Sequence, residues 1–289
     1  MTAESLYAQH ERSFEDNRYV YPVLSRRAAG ISVGVNLNPD KVCNFDCVYC
    51  QVDRVEPGES RFVDIERLLS ELDSALQMVT SGKLFELPKF QKTPLDQRRL
   101  NDIAFSGDGE PTTYKNFDTI VSQCAKLKQK HALREVKMVL ITNASMFHRP
   151  HIRRALEILD QNQGEIWAKL DAGTSDYYQL VNRAPFAFEQ ILRNITEAAR
   201  VRPLVIQSLF MRVHDQPPSD AEQEAYCQRL QEILAAGGQV KLVQIYTVAR
   251  RPTEGYVTPL QDAEVDALVQ RVRQHTQLNA VGYYGSLPS

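Results

Sequence analysis

Three of the five cysteines fall within eight residues, in Cys43-Asn-Phe-Asp-Cys47-Val-Tyr-Cys50. Thiolates this close repel one another unless a soft metal centre offsets their charge. An iron–sulfur cube normally takes four cysteines, one per iron. Three cysteines leave one iron without a protein ligand. By analogy with zinc, an open coordination position separates a catalytic metal centre from a closed structural one. The C-x3-C-x2-C loop therefore reads as the seat of a [4Fe–4S] cluster that offers one iron to a small molecule. Two other readings stand beside it. One is a zinc site completed by a distant His or Cys. The other is disulfides, which three closely spaced cysteines in a reducing compartment disfavour.

A second group follows in Ser106-Gly-Asp-Gly-Glu-Pro111. Gly107 and Gly109 flank Asp108 and permit close backbone approach to a ligand, while Pro111 biases Glu110 toward an extended conformation. Carbonyls and a carboxylate presented there suit an ammonium group; a bare turn is the alternative. Lys169 and Asp171 share a parity with Trp167 in a strand-like run, so all three are expected on one face. A buried lysine beside an aspartate needs a partner or a use. Lys169 is thus a candidate for holding an anionic substrate or for Schiff-base chemistry, with an ion pair as the plainer alternative. Gln207 and Gln244 interrupt apolar strands. Arg250, Arg251 and Tyr256 occupy a loop suited to phosphate or carboxylate, or simply to solvent. Cys124 and Cys227 lie on apolar helical stripes and read as core. The six histidines show no ligand spacing.

The elements that must position these groups alternate along the chain. A strand near Ile31–Val35 leads into the cysteine loop. Asp64 caps a helix with apolar residues Ile65, Leu68, Leu69, Leu72, Ala75, Leu76 and Val79 at helical spacing. Residues 81–100 break the pattern as an insertion carrying Lys83, Lys89, Lys92, Arg98 and Arg99, with mobility the expectation. Strands near Ile103–Phe105, Val136–Thr142, Ile166–Asp171, Leu204–Met211 and Gln239–Thr247 then alternate with helices. Those helices lie near Asn116–Lys130, Pro150–Asp160, Phe188–Arg200, from the capping-box pattern Ser219-Asp-Ala-Glu222, and near Asp262–His275. Six strand–helix units predict α/β architecture with parallel strands, an open partial (β/α)6 barrel rather than a closed eight-unit one. Its site is expected on the loops after the strands. The expected organisation is an amino-terminal extension over 1–30 and one barrel domain over 31–289 with the insertion near 81–100.

At 289 residues, with 43% hydrophobic and 24% charged residues, the composition is that of a globular protein. A formal net charge of −2 gives no global pull toward nucleic acid. Local basic patches remain, such as Arg12, Arg18, Arg26 and Arg27 interleaved with Tyr19 and Tyr21, which would suit an anionic partner. Glu11, Glu15 and Asp16 dilute that group. No apolar run approaches membrane-spanning length, and residues 1–20 are too polar for a signal peptide. A cytoplasmic chain that meets no membrane is the expectation.

With these residues in view, the chain resembles the radical S-adenosylmethionine (SAM) superfamily. The resemblance runs from about Ile31 to Tyr246. The stretches NLNPDKVCNFDCVYCQ, FSGDGEPT, LITNAS and KLDAG are similar to the branch of wyosine-forming tRNA-modifying enzymes and their uncharacterised bacterial relatives. The resemblance implies that Cys43, Cys47 and Cys50 ligate three irons of one [4Fe–4S] cluster, with SAM chelating the fourth. It implies that Tyr49 lies near the adenine and that Gly107, Asp108, Gly109 and Glu110 meet the SAM amino group. Thr142, Asn143 and Asp171 would lie near the ribose or carboxylate. It further implies reductive cleavage of SAM to a 5′-deoxyadenosyl radical that takes hydrogen from a substrate, fed by an electron donor such as flavodoxin or ferredoxin. An RNA base is the substrate suggested by family; a protein- or peptide-modifying activase and a non-catalytic iron–sulfur or zinc module are the alternatives. The wyosine-forming enzymes carry further cysteines for a second cluster, and none precedes Cys43 here.

Overall fold

The computed structural model describes residues 14–25, 27, 29–54, 58 and 62–285. Arg12, Arg26 and Glu11 of the amino-terminal basic group lie outside them. The chain forms two compact units interleaved in sequence. The first comprises Met1–Cys43, Arg54–Ile141 and Arg149–Glu165, and the second Asn44–Asp53, Thr142–His148 and Ile166–Ser289.

In the first unit, β1 (Val20–Ser25), β2 (Gly30–Val35), β3 (Leu100–Phe105) and β4 (Lys137–Thr142) stand in that order. β2, β3 and β4 run parallel, and β1 pairs antiparallel with β2 from Val20↔Val35 to Ser25↔Gly30. β1 is an addition to the strands that the sequence pattern predicts. Its Pro22 cannot donate to a ladder, which confines such a strand to an edge and hides it from pattern. Glu71 on α1 (Ile65–Thr80) pins the start of β1, its carboxylate accepting the backbone N–H groups of Arg18, Tyr19 and Val20 at 2.8–3.2 Å. Asp64 caps α1 by accepting from the Arg67 N–H, as the sequence predicts. Helices α2 (Phe117–Lys130) and α3 (Pro150–Asp160) follow the expected spans closely, and Cys124 is fully buried on the apolar face of α2.

The insertion near 81–100 carries its own packed apolar residues. Leu84, Phe85 and Phe90 are buried, and two short 3-10 turns fold the stretch on itself. Arg98 binds the carbonyls of Thr93 and Gln91 and lies over the Phe85 ring. Arg99 reaches the Ala29 carbonyl at 3.5 Å. Two of the five cations thus hold backbone in place.

In the second unit, β5 (Gly164–Lys169), β6 (Leu204–Leu209), β8 (Val240–Tyr246) and β10 (Ala280–Tyr283) form parallel neighbours in that order. A separate antiparallel pair joins β7 (Met211–Val213) to β9 (Val257–Pro259). Helices α4 (Ser175–Asn182), α5 (Phe188–Val201), α6 (Asp220–Ala235) and α7 (Asp262–Thr276) complete it. The short elements α4, β7, β9 and β10 were not read from sequence, because three to eight residues carry too little periodicity. Gln207 and Gln244 sit opposite one another and are satisfied by a mutual hydrogen bond of 3.1 Å inside the sheet. Cys227 is buried on α6, as expected.

Six parallel strands read from the sequence, now β2, β3, β4, β5, β6 and β8, are all present, and the α/β class stands. No helix among the described residues is long and apolar enough to cross a membrane.

Candidate functional site

In the first unit the glycine-rich loop follows β3. Asn36, buried just past β2, organises it. Asn36 Oδ1 accepts the N–H groups of Asn38 at 3.0 Å and Asp108 at 3.1 Å, and Asn36 Nδ2 donates to Asp108 Oδ2 at 2.6 Å. A Cβ on Gly107 would lie 2.2 Å from Asn36 Oδ1, and one on Gly109 would lie 2.2 Å from the Val42 carbonyl. Both glycines are therefore demanded by the chain segment that leads into Cys43. The buried Glu110 accepts from the Thr112 N–H at 3.1 Å and from the Thr112 hydroxyl, while its carbonyl accepts from Thr113. Tyr21 on β1 donates to the Ser106 carbonyl at 3.1 Å. Asn36 was not singled out from the sequence; an isolated Asn gives no spacing signal.

In the second unit, Tyr49, Lys169, Asp171 and Asn182 gather into one network. The Tyr49 hydroxyl donates to Asp171 Oδ2 at 2.5 Å and accepts from Lys169 Nζ at 2.7 Å and from Asn182 Nδ2 at 3.3 Å. Asp171 Oδ2 also accepts from Asn182 at 3.1 Å and lies 3.7 Å from Lys169 Nζ, while its Oδ1 accepts the Leu209 N–H at 2.8 Å. Lys169 lies over the Tyr49 ring, 4.4 Å from its centroid, with its side chain 20% exposed. Burial alone pulls the Lys169 ammonium toward neutrality, but Asp171, with Tyr246 and Cys47 adding, outweighs it and raises the pKa. Burial, then Asp171, raises the Tyr49 phenol well above its ordinary value. The pair is thus a protonated lysine and a neutral phenol against a carboxylate whose two oxygens are both engaged.

The cysteine loop is held in this unit from three sides. The N–H groups of Asp46 and Val48 donate to the carbonyls of Asn182 and Val181 at the end of α4, at 3.3 and 2.9 Å. Thr253, in the loop after β8, donates its N–H to the Cys50 carbonyl at 3.0 Å. Asn44 completes a closed ring: it donates to Ser145 Oγ, Ser145 donates to Asn143 Oδ1, and Asn143 Nδ2 donates back to Asn44 Oδ1, all at 2.6–2.9 Å. Thr142 Oγ1 accepts the N–H of Ala144, whose φ of 60° is left-handed, and Asn194 from α5 donates to the carbonyls of Ala144 and Ser145.

Glu222 corrects the capping-box reading. Ser219 caps α6 through the Glu222 N–H, but the Glu222 carboxylate turns away to the Gly173 N–H and the Thr174 hydroxyl, both at 2.5 Å. A Cβ on Gly173 would sit 2.1 Å from Tyr226 N, so this backbone runs directly against α6 and supplies a better partner than the helix's own end. Arg250 donates to Gln51, and Tyr256 stacks on His214 at 4.4 Å while receiving a hydrogen bond from Arg183. Arg183 also pairs with Glu254 at 2.7 Å.

The donor chemistry fits an iron–sulfur cluster. All five cysteines are free thiols. Asn182 Nδ2 lies 3.5 Å from Cys47 Sγ, and the Val52 N–H lies 3.5 Å from Cys50 Sγ, so polar hydrogens are aimed at two of the three loop sulfurs. Burial raises the Cys47 pKa in the free protein, while Lys169 pulls it back toward thiolate. Among the described residues, no three His, Cys, Asp or Glu side chains converge on a point that would suit a single ion. A cube takes one thiolate per iron, so its sulfurs stand around a cluster rather than about one atom.

A family model described as "Radical SAM superfamily" matches residues 37–225, well over half the chain. UPF0026 protein slr1464 from Synechocystis sp. is 30% identical over 68% of this chain and 66% of its own length. A protein named GTPase Obg from Brachyspira hyodysenteriae is 25% identical over 85% of this chain but only 32% of its own. The chain spans 32–39% of the length of three curated relatives it matches. A crystal structure of a radical SAM methyltransferase from Sphaerobacter thermophilus superposes with a TM-score of 0.63 at 13% identity, covering 94% of this chain and 71% of that one. That likeness is one of fold. The family match shows that the chain belongs to the radical SAM superfamily, whose cofactors are a [4Fe–4S] cluster and S-adenosylmethionine.

Proposed function

We propose that the chain carries a radical SAM activity, with Cys43, Cys47 and Cys50 holding one [4Fe–4S] cluster. The observation that carries this reading is the C-x3-C-x2-C loop within the family match, with N–H donors directed at the sulfurs of Cys47 and Cys50. When bound and reduced, the cluster with SAM supplies a 5′-deoxyadenosyl radical able to take hydrogen from an unreactive carbon; the protein's part is positioning and exclusion of competing reactions. Enzymes of the superfamily generally need a reductant.

The chain's own residues divide that work. Gly107, Asp108, Gly109 and Glu110 would meet the amino group of SAM, as the family resemblance implies; Asn36 holds their loop in shape. Thr142 and Asn143 turn the chain after β4, and Asn143 ties that turn to the cysteine loop through Asn44. Tyr49, within the loop, is tied to Asp171, whose two oxygens are both engaged. Lys169 keeps its charge against Asp171 and Tyr49, which favours holding an anionic group of substrate or cofactor over Schiff-base chemistry, since the latter needs a neutral amine.

The test is anaerobic reconstitution with iron and sulfide, then dithionite and SAM, with 5′-deoxyadenosine as the product read. Iron-dependent formation of the nucleoside is expected. Zinc uptake with no SAM binding would overturn the reading.

A further inference from the structure

The end of α4 makes an unusual set of contacts with the cysteine loop. Arg183, the residue after the helix, takes a left-handed conformation with φ of 44°, which ends the helix at Asn182. The last carbonyls of a helix lack partners within it. Those of Val181 and Asn182 accept from Val48 and Asp46, the two neighbours of Cys47. The side chain of Asn182 then covers Cys47 itself. Its amide is 3% exposed and has two hydrogens to offer. Three acceptors stand within reach: Asp171 Oδ2 at 3.1 Å, Tyr49 Oη at 3.3 Å and Cys47 Sγ at 3.5 Å. Asp171 Oδ2 and Tyr49 Oη stand 2.5 Å apart and share one amide hydrogen, which fixes the orientation of the amide and leaves the other hydrogen for the sulfur.

We infer that Asn182 is a positioning residue that sets the reduction potential of the cluster through an N–H···S hydrogen bond to Cys47. This rests on the cluster reading proposed above. Reduction adds an electron to a cluster whose charge is already shared by its thiolates. A donor pointed at a thiolate sulfur stabilises the more negative, reduced state and raises the potential, and hydrogen bonds to sulfur are among the established determinants of cluster potential. The Lys169 ammonium, held on the other side of Tyr49, acts in the same direction by charge alone.

The experiment uses the full chain with its cluster reconstituted, titrated with dithionite against redox mediators and followed by electron paramagnetic resonance, without SAM or substrate. Wild type is expected to show a reducible cluster. Asn182→Leu, of similar volume and without donors, is expected to retain its iron and to reach half-reduction at a lower potential. Asn182→Ala also removes both donors, with a smaller side chain, and is expected to shift in the same direction; it serves where the leucine variant takes up no iron. An iron-loaded variant of either kind that titrates at the wild-type potential overturns the inference. So does loss of iron in both, which would make Asn182 a support of the fold and no more. A wild-type protein that takes up no cluster overturns the proposed function and this inference together.

Discussion

The glycine loop of the first unit and the Tyr49–Lys169–Asp171–Asn182 network of the second are held by different physics. The loop at 106–110 is shaped by absence of side chains: Gly107 and Gly109 admit Asn36 and the Val42 carbonyl where any Cβ would collide. The network is shaped by mutual satisfaction of buried polar groups, each atom of Asp171 taken by a donor from a different element. A steric loop fails locally when a methyl group is added. A polar network fails as a unit, because removing one member strands the others without partners.

The largest expected effect comes from Cys47→Ala. It should abolish iron-dependent SAM cleavage while leaving the circular dichroism of the fold unchanged; retained cleavage would remove Cys47 from the ligand set. Next, Asp171→Ala leaves the half-buried Lys169 ammonium without its counter-charge and orphans the Leu209 N–H, and should destabilise the protein by about 3–5 kcal/mol. Chemical denaturation measures it, and a loss under about 1 kcal/mol would show that the network is not a unit. Gly109→Ala is expected to cost about 1–3 kcal/mol, since the clash is with backbone rather than a flexible side chain. Gly255→Ala, with open space around its Cβ, should change little in the same assay.

A pH experiment sharpens the contrast further. Asp102 on β3 is buried against Ser32, and burial pushes its carboxyl from 3.8 up to about 6, with the Ser32 hydroxyl opposing. The folded state therefore holds this proton more tightly than the unfolded chain. Its stabilising contribution is present below about pH 4 and is lost as pH rises through about 6. Asp102→Asn should accordingly gain on the order of 1–2 kcal/mol at pH 8 relative to wild type, and that gain should vanish near pH 4. Melting temperatures of the two proteins across that range decide it; an equal difference at both ends would mean that the asparagine acts by packing.

Much of this was legible from residues alone, and the exceptions have physical causes. Helices α2, α3, α5 and α7 were readable because apolar residues repeat with the helical period over eleven or more residues. The cysteine loop and the glycine pair were readable because their chemistry is local: the residues that act together are neighbours in sequence. β1 was hidden by Pro22, and the insertion looked loose because three buried apolar residues, Leu84, Phe85 and Phe90, have no period to announce them. The capping box at Ser219 was half right. Its local geometry was correct, and a distant backbone at Gly173 claimed the glutamate.

The sequence by itself determined the parallel α/β class, the C-x3-C-x2-C loop, and the parity that puts Lys169 near Asp171. Tertiary structure alone decided what those groups touch. Asn182 meets Tyr49 and Cys47 across 133 and 135 positions of chain, and Asn36 meets Asp108 across 72. Such contacts depend on how a helix end and a loop are packed against one another, and a single asparagine carries no spacing from which that packing can be read.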